Sequence, residues 1–171
     1  MDEHERTRIR AAIDAAEGGG TPPLSDEQLR TLLAESRNIA IVGASPKPDR
    51  PSHGVLLALK AAGWRILPVN PAANALADGV AGLPCFPDLA SAAASLPNGE
   101  RIDLVDVFRR SEDCAAVTRE AIAVGAGAIW LQLGIISSEA AALAAEAAIP
   151  FVQDRCTAIE VQRLKVSGPS A

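Results

Sequence analysis

The sequence predicts an α/β fold: a doubly wound sheet of about five parallel strands, flanked by helices in three αβα layers. Three observations predict it. Short, wholly apolar runs recur along the chain, as in strands buried on both faces of a parallel sheet. Segments of helical pattern lie between them at the spacing of right-handed βαβ units. The composition, with 34 Ala, three Phe, two Trp and no Tyr, suits helices packed closely on a sheet. A length of 171 residues fits one domain. A chain of that size buries about 70% of its unfolded surface, enough for one self-sufficient core.

Residues 1–17 read as a short charged helix, broken by the linker Gly18-Gly19-Gly20-Thr21-Pro22-Pro23. Ser25 then caps a second helix and Gln28 completes a capping box. Leu29, Leu32 and Leu33 form its apolar stripe to about Ser36. The first strand is Ile39-Ala40-Ile41-Val42, ending at Gly43, and a helix over about 52–62 comes next. The second strand is Arg65-Ile66-Leu67-Pro68-Val69, and Pro68 suits only its carboxyl end. Later strands are expected near 102–108, 128–132 and 150–152, with helices near 88–95, 111–124 and 137–148. A last short helix runs from Cys156 to Leu164, and residues 167–171 fray. The expected division is a helical extension with its linker over 1–36, the main domain over 37–164 and a flexible tail over 165–171.

Net charge is −5, which with so few rings argues against a nucleic-acid binder. Cys85, Cys114 and Cys156 are widely spaced, and His4 and His53 are far apart. This predicts neither a disulfide framework nor a metal site. The start MDEHERTRIR shows no signal peptide, and no run of about 18 apolar residues suits a membrane span. A cytoplasmic protein without membrane or nucleic-acid partners is the expectation. Homo-oligomerisation stays open.

Ligands of open parallel sheets bind beyond the carboxyl ends of the strands, so the loop after each strand carries the chemistry. After the first strand come Gly43, Ala44 and Ser45, which allow a tight turn and close backbone approach, then Lys47, Arg50, Ser52 and His53. Ser52 is expected to cap the next helix, whose free N–H groups form an anion site, with Lys47 and Arg50 adding positive charge. The loop is neither GxGxxG nor GxxxxGK[ST]. After the second strand Asn70-Pro71 stands where an NAD site wants an acid, which counts against a dinucleotide. Phe108 and Arg109-Arg110 come after the third strand. Phe108 is either a ring against a purine or an edge of the core, and one arginine of the pair is expected to be solvated or salt-bridged. Gln132-Leu133-Gly134 come after the fourth strand, and Asp154-Arg155-Cys156 after the fifth. Together these ends predict a cleft for a phosphorylated, adenine-like ligand. No Ser/His/Asp set, paired carboxylates or metal cluster supplies a catalyst, so no catalytic residue is assigned.

These segments also carry a resemblance. In order and spacing, Val42-Gly43-Ala44-Ser45, Lys47-Pro48-Asp49-Arg50-Pro51-Ser52, Pro68-Val69-Asn70-Pro71, Val105-Asp106-Val107-Phe108-Arg109, Leu131-Gln132-Leu133-Gly134 and Asp154-Arg155-Cys156 with Ile159-Glu160 behind it resemble small coenzyme A-binding proteins. These share the fold of the N-terminal domain of the succinyl-CoA synthetase α subunit, and the match covers roughly residues 37–164. The resemblance implies a CoA-binding Rossmann-like domain. By it, the Gly43–Ser45 turn, Arg50 and Ser52 would hold phosphates, and Val69, Asn70 and Pro71 would flank adenine and ribose. Phe108, Arg109, Gln132, Leu133 and Gly134 would line the pantetheine path, with Cys156 near its thiol end. The synthetase's phosphohistidine domain has no counterpart here, so the resemblance carries binding of coenzyme A or an acyl-CoA and not ligation. An NAD(P)-linked enzyme or redox sensor is the alternative, and a thiol role for Cys156 beside Arg155 is a third.

Overall fold

The computed structural model describes residues 22–170. The charged helix expected over 1–17, most of its linker and His4 lie outside them. Helix α1 (Asp26–Glu35) begins as the sequence predicts: Gln28 N–H donates to Ser25 Oγ at 3.2 Å, and Ser25 N–H donates to Gln28 Oε1 at 2.8 Å. Strands and helices then alternate: β1 (Asn38–Val42), α2 (Pro51–Ala61), β2 (Arg65–Val69), α3 (Leu89–Ala94), β3 (Leu104–Val107), α4 (Cys114–Ala123), β4 (Ile129–Leu131), α5 (Ser138–Glu146), β5 (Phe151–Val152) and α6 (Thr157–Leu164). The helix expected over 111–124 is preceded by a separate tight turn, Ser111–Asp113, and the strand expected over 102–108 narrows to four residues.

All strands are parallel, in the order β2-β1-β3-β4-β5. The chain leaves β1 for β2 on one side and returns to β3 on the other. The carboxyl ends of β1 and β3 are therefore the switch point of the sheet, where two loops part and leave room for a ligand. Alternating side chains feed two cores. Ile39 and Ile41 pack with Leu29, Leu33, Leu56 and Leu164 of α1, α2 and α6 on one face. Ala40 and Val42 pack with Leu89, Ala121 and Ala144 of α3, α4 and α5 on the other. This is the three-layer αβα arrangement the sequence predicts.

Pro68 sits in the fourth of five positions of β2, opposite Ile41. It is tolerated because β2 is an edge strand. The Pro68 carbonyl points outward and accepts from Phe86 N–H at 2.9 Å, so its missing N–H falls on the same outer side. Both tryptophans are buried with their N–H satisfied. Trp130 Nε1 donates to the Arg155 carbonyl at 2.8 Å, and Trp64 Nε1 to the Ser36 carbonyl at 3.0 Å.

Helix α1 belongs to the common core, since Leu29 and Leu33 are fully buried in it. Residues 165–170 are likewise tied down. Gly168 N–H donates to the Ala62 carbonyl at 2.7 Å, Ser170 N–H donates to the Gly63 carbonyl at 3.1 Å, and a Cβ on Gly168 would stand 2.3 Å from the Gly63 carbonyl carbon.

Candidate functional site

The turn after β1 is set by three constraints. Gly43 has φ of 89°, a region that favours glycine, and a Cβ there would lie 2.8 Å from the Phe108 carbonyl oxygen. The loops after β1 and β3 can approach this closely only because the side chain is absent. Gly43 and Ala44 N–H both donate to the Val69 carbonyl, at 2.9 and 3.2 Å. Asn70 Nδ2 donates to the Ala44 carbonyl at 2.8 Å, while its Oδ1 accepts from Ala72 N–H at 2.8 Å. Asn70 therefore staples two loops together, an architectural use that an acidic residue lacking the amide donor would not reproduce.

The loop runs on to α2. Ser45 Oγ accepts from Lys47 N–H at 3.2 Å. His53 Nδ1 lies 2.9 Å from the Ser45 carbonyl; a carbonyl only accepts, so Nδ1 carries the hydrogen and donates. His53 thus braces the loop from the first turn of α2. The expected cap is corrected: Ser52 is inside the helix, buried, and Arg50 holds the capping position without a side-chain bond. Proline at position 51 explains the shift, because its fixed φ and missing N–H suit the first helical residue. No side chain caps the start of α2, where Pro51 carries no N–H and the His53 N–H is taken by the Arg50 carbonyl at 3.0 Å. Lys47 and Arg50 are exposed and make no ion pair among the described residues.

These groups face a cleft of about 720 Å³. From the β1 side it is lined by Gly43, Ala44, Ser45, Lys47, Arg50 and Ser52, and from β2 by Asn70. Phe108 and Arg109 line it after β3, Gln132 and Leu133 after β4, and Cys156 at the start of α6. The lining contains neither carboxylate nor imidazole. Arg109 also stands 3.7 Å from Asp113, whereas Arg110 is the solvated member of the pair, held by Asp113 at 3.2 Å and Glu112 at 3.5 Å.

Four predicted residues do not line the cleft. Val69 is buried and contributes its carbonyl to the turn. Pro71 is exposed beyond Asn70. Gly134 has φ of 83° and spends its N–H on Asp154 Oδ1 at 2.7 Å. Arg155 stands 3.6 Å from Glu160. Sequence reasoning assigned no site role to Pro51, Val55, Ile135 and Ile159, apolar residues of the lining with no chemical signature of their own. Cys156 is half-buried; Cys114 is buried, with its thiol pushed up to about 11 mainly by burial, and Cys85 lies off the cleft.

Beneath the cleft lies a polar cluster that the sequence did not single out. Asp106 of β3 is fully buried, and burial pushes its carboxyl up to about 7 against the opposing hydrogen bonds. Gln132 Nε2 donates to Asp106 Oδ1 at 2.6 Å and to Thr157 Oγ1 at 2.8 Å, and Thr157 Oγ1 donates to Asp106 Oδ2 at 2.8 Å. An aspartate in an otherwise apolar buried strand was the available signal, since such a group needs partners from neighbouring elements. Among the described residues no group of three His, Cys, Asp or Glu can hold a metal ion, and no helix is long and apolar enough to cross a membrane.

Comparison with known proteins identifies a family and shared folds. A family model described as CoA binding domain matches residues 37–162. A Bacillus subtilis protein described as uncharacterized protein YneT is 35% identical over 132 residues, 77% of this chain and 90% of its own length. The structure of a Thermus thermophilus protein is 36% identical with a TM-score of 0.71, covering 82% of this chain and 99% of that one. A dinucleotide-forming acetyl-coenzyme A synthetase from Ca. Korarchaeum cryptofilum shares the fold at 22% identity and a TM-score of 0.57. The likeness covers 72% of this chain and 26% of the synthetase.

Proposed function

The chain belongs to the CoA binding domain family, and on that premise we propose that it binds coenzyme A or an acyl-CoA in this cleft as a cytoplasmic protein, without chemistry of its own. The observation that carries the proposal is the β1–α2 loop. Two cations unpaired among the described residues, a helix start without a side-chain cap and a glycine turn pressed against the β3 loop converge on one side of the cleft. Those groups suit phosphates, through the charge of Lys47 and Arg50 and the positive end of α2. The cleft volume of about 720 Å³ lies in the range of small-molecule and cofactor sites.

In this reading Gly43, Ala44, Ser45, Lys47, Arg50 and Ser52 hold the phosphates. Asn70 and Pro71 flank the adenosine, with Val69 as the backbone anchor behind them. Phe108, Arg109, Gln132 and Leu133 face the arm of the cofactor, Gly134 supports their loop, and Arg155 and Cys156 lie towards the arm's end. The lining supports binding over catalysis, because it offers no carboxylate or imidazole to move a proton. Asn70 tells against a nicotinamide dinucleotide, since both ends of its amide are already engaged.

Isothermal titration with coenzyme A and with dephospho-CoA tests the proposal. Heat and a thermal shift with coenzyme A are expected. Neither at millimolar ligand, or a preference for NADH in saturation-transfer NMR, overturns it.

A further inference from the structure

The buried cluster under the cleft gives Gln132 a direction. Its amide offers two N–H donors and one carbonyl acceptor. Both donors point inward, one to Asp106 Oδ1 at 2.6 Å and one to Thr157 Oγ1 at 2.8 Å. Among the described residues no donor reaches Gln132 Oε1, yet the one buried side-chain oxygen left without a partner is Asp154 Oδ2. Gln132 is 4% exposed and lines the cleft, so Oε1 is the part of its side chain that the cleft reaches. The reverse orientation would set Oε1 against the ionised carboxylate of Asp106, two acceptors with no hydrogen between them.

We propose that Gln132 is a specificity-determining residue that presents a fixed hydrogen-bond acceptor to the ligand, and that Asp106, with Thr157, is the positioning residue that fixes it. The ligand group it takes is an N–H or O–H donor. A phosphate, a thioester carbonyl or any other pure acceptor is refused there. The inference rests on the coenzyme A reading and deepens it. Gln132 lies just past β4, two strands from the Gly43 turn, or about 10 Å at the usual strand spacing. In mononucleotide folds the ribose lies over the end of the second strand, on the opposite side of β1. The group over Gln132 is then in the arm beyond the phosphates. The amide N–H groups and hydroxyl of coenzyme A are the donors available in that arm.

Asp106 makes the acceptor conditional. A protonated carboxyl carries its own O–H and can donate to Oε1, which permits the amide to turn and present N–H to the cleft instead. The groups packed around Asp106 come from three elements. Thr157 meets it from α6, and its register neighbours on β1 and β4 are Ile41 and Trp130. Of the charged groups of α6 and the preceding loop, Asp154 accepts the Gly134 N–H at 2.7 Å and Glu160 is held by Arg155 and Arg163, while Arg109 at the end of β3 faces Asp113.

The test is titration calorimetry of the full chain with coenzyme A and with adenosine 3′,5′-bisphosphate, which has the nucleotide but no arm. Gln132→Met keeps the length and loses the acceptor. It should weaken coenzyme A by about 3–10-fold and leave the bisphosphate unchanged. Equal loss for both probes, or no loss for either, overturns the role of Gln132. In the wild type, the affinity for dephospho-CoA relative to that for the β-methyl ester of ADP should fall as pH drops from 8.5 to 6, a comparison free of phosphate protonation because neither probe carries a phosphate monoester. A flat ratio overturns the role of Asp106, and this series needs no variant to fold. Wild type that binds neither probe overturns the coenzyme A reading and the inference with it. Wild type that binds both, with Gln132→Met and the pH series unmoved, overturns only the inference.

Discussion

The two ends of the sheet treat polar groups in opposite ways. At the amino ends they are matched. Glu100 pairs with Arg65 and, at 3.1 Å, with Arg37, while Asp103 Oδ2 accepts the backbone N–H groups of Arg37 and Asn38 at 2.9 Å each. At the carboxyl ends, among the described residues, Lys47 and Arg50 have no carboxylate, α2 has no side-chain cap and Gln132 Oε1 has no donor. Both ends belong to the same five strands, so loose construction does not explain the difference. Loops at one end close the sheet, and loops at the other leave valences for something else to fill.

Four outcomes would break or sharpen that contrast. The largest is expected for Gly43→Val, which forces a β-branched residue into φ of 89° with its Cβ 2.8 Å from the Phe108 carbonyl. Backbone strain and overlap should cost about 3 kcal/mol, or roughly 6–12 °C in Tm, with loss of coenzyme A heat. An unchanged melting curve would show that the two loops are not locked at this point. Arg50→Ala should weaken coenzyme A by about 1.5–3 kcal/mol in calorimetry and leave the melting curve alone, as for an exposed cation that bonds only a ligand. Asp103→Ala should do the reverse, lowering unfolding free energy by about 1–3 kcal/mol in urea and sparing affinity. Crossed results would erase the division between the ends.

The smallest effect is a drift with pH. Asp106 is raised in the folded protein to about 7, above its unfolded value near 3.9. Between those values the folded state binds more protons than the unfolded state. Asp106 therefore makes stability fall as pH rises from about 4 to 7, with its full penalty above 7. Urea midpoints at pH 5.5 and 8 should show this decline in the wild type and a smaller one in Asp106→Asn. Parallel slopes would remove Asp106 as the cause.

Element type was legible where a single physical pattern ruled. The capping box from Ser25 to Gln28 and the apolar runs of β1 and β4 are local, so their reading and their structure agree. Boundaries were less legible where competing groups met. Ser52 looks like a cap, but Pro51 begins the helix and the capping position falls to Arg50. Residues 165–170 look like a tail, and only the Ala62 and Gly63 carbonyls in another part of the chain hold them. For the candidate site, charge and glycine marked the β1 loop, while Val55 and Ile135 carried no mark because apolar residues look alike wherever they pack.

The sequence by itself determined the alternation of strands and helices, the parallel sheet that such alternation requires and the loops on which polar chemistry collects. Those features come from periodicity and from residue types that bend or cap a chain. Only the tertiary structure decided the strand order and hence which loops part to form the cleft. It also decided that Asn70 is a staple and that Asp106, Gln132 and Thr157 meet beneath the site across separations of 26, 25 and 51 residues. The physical reason is that a hydrogen bond depends on position in space, and positions so far apart in the chain are brought together by the pairing of β3 with β4 and the packing of α6 on the sheet, which no local pattern encodes.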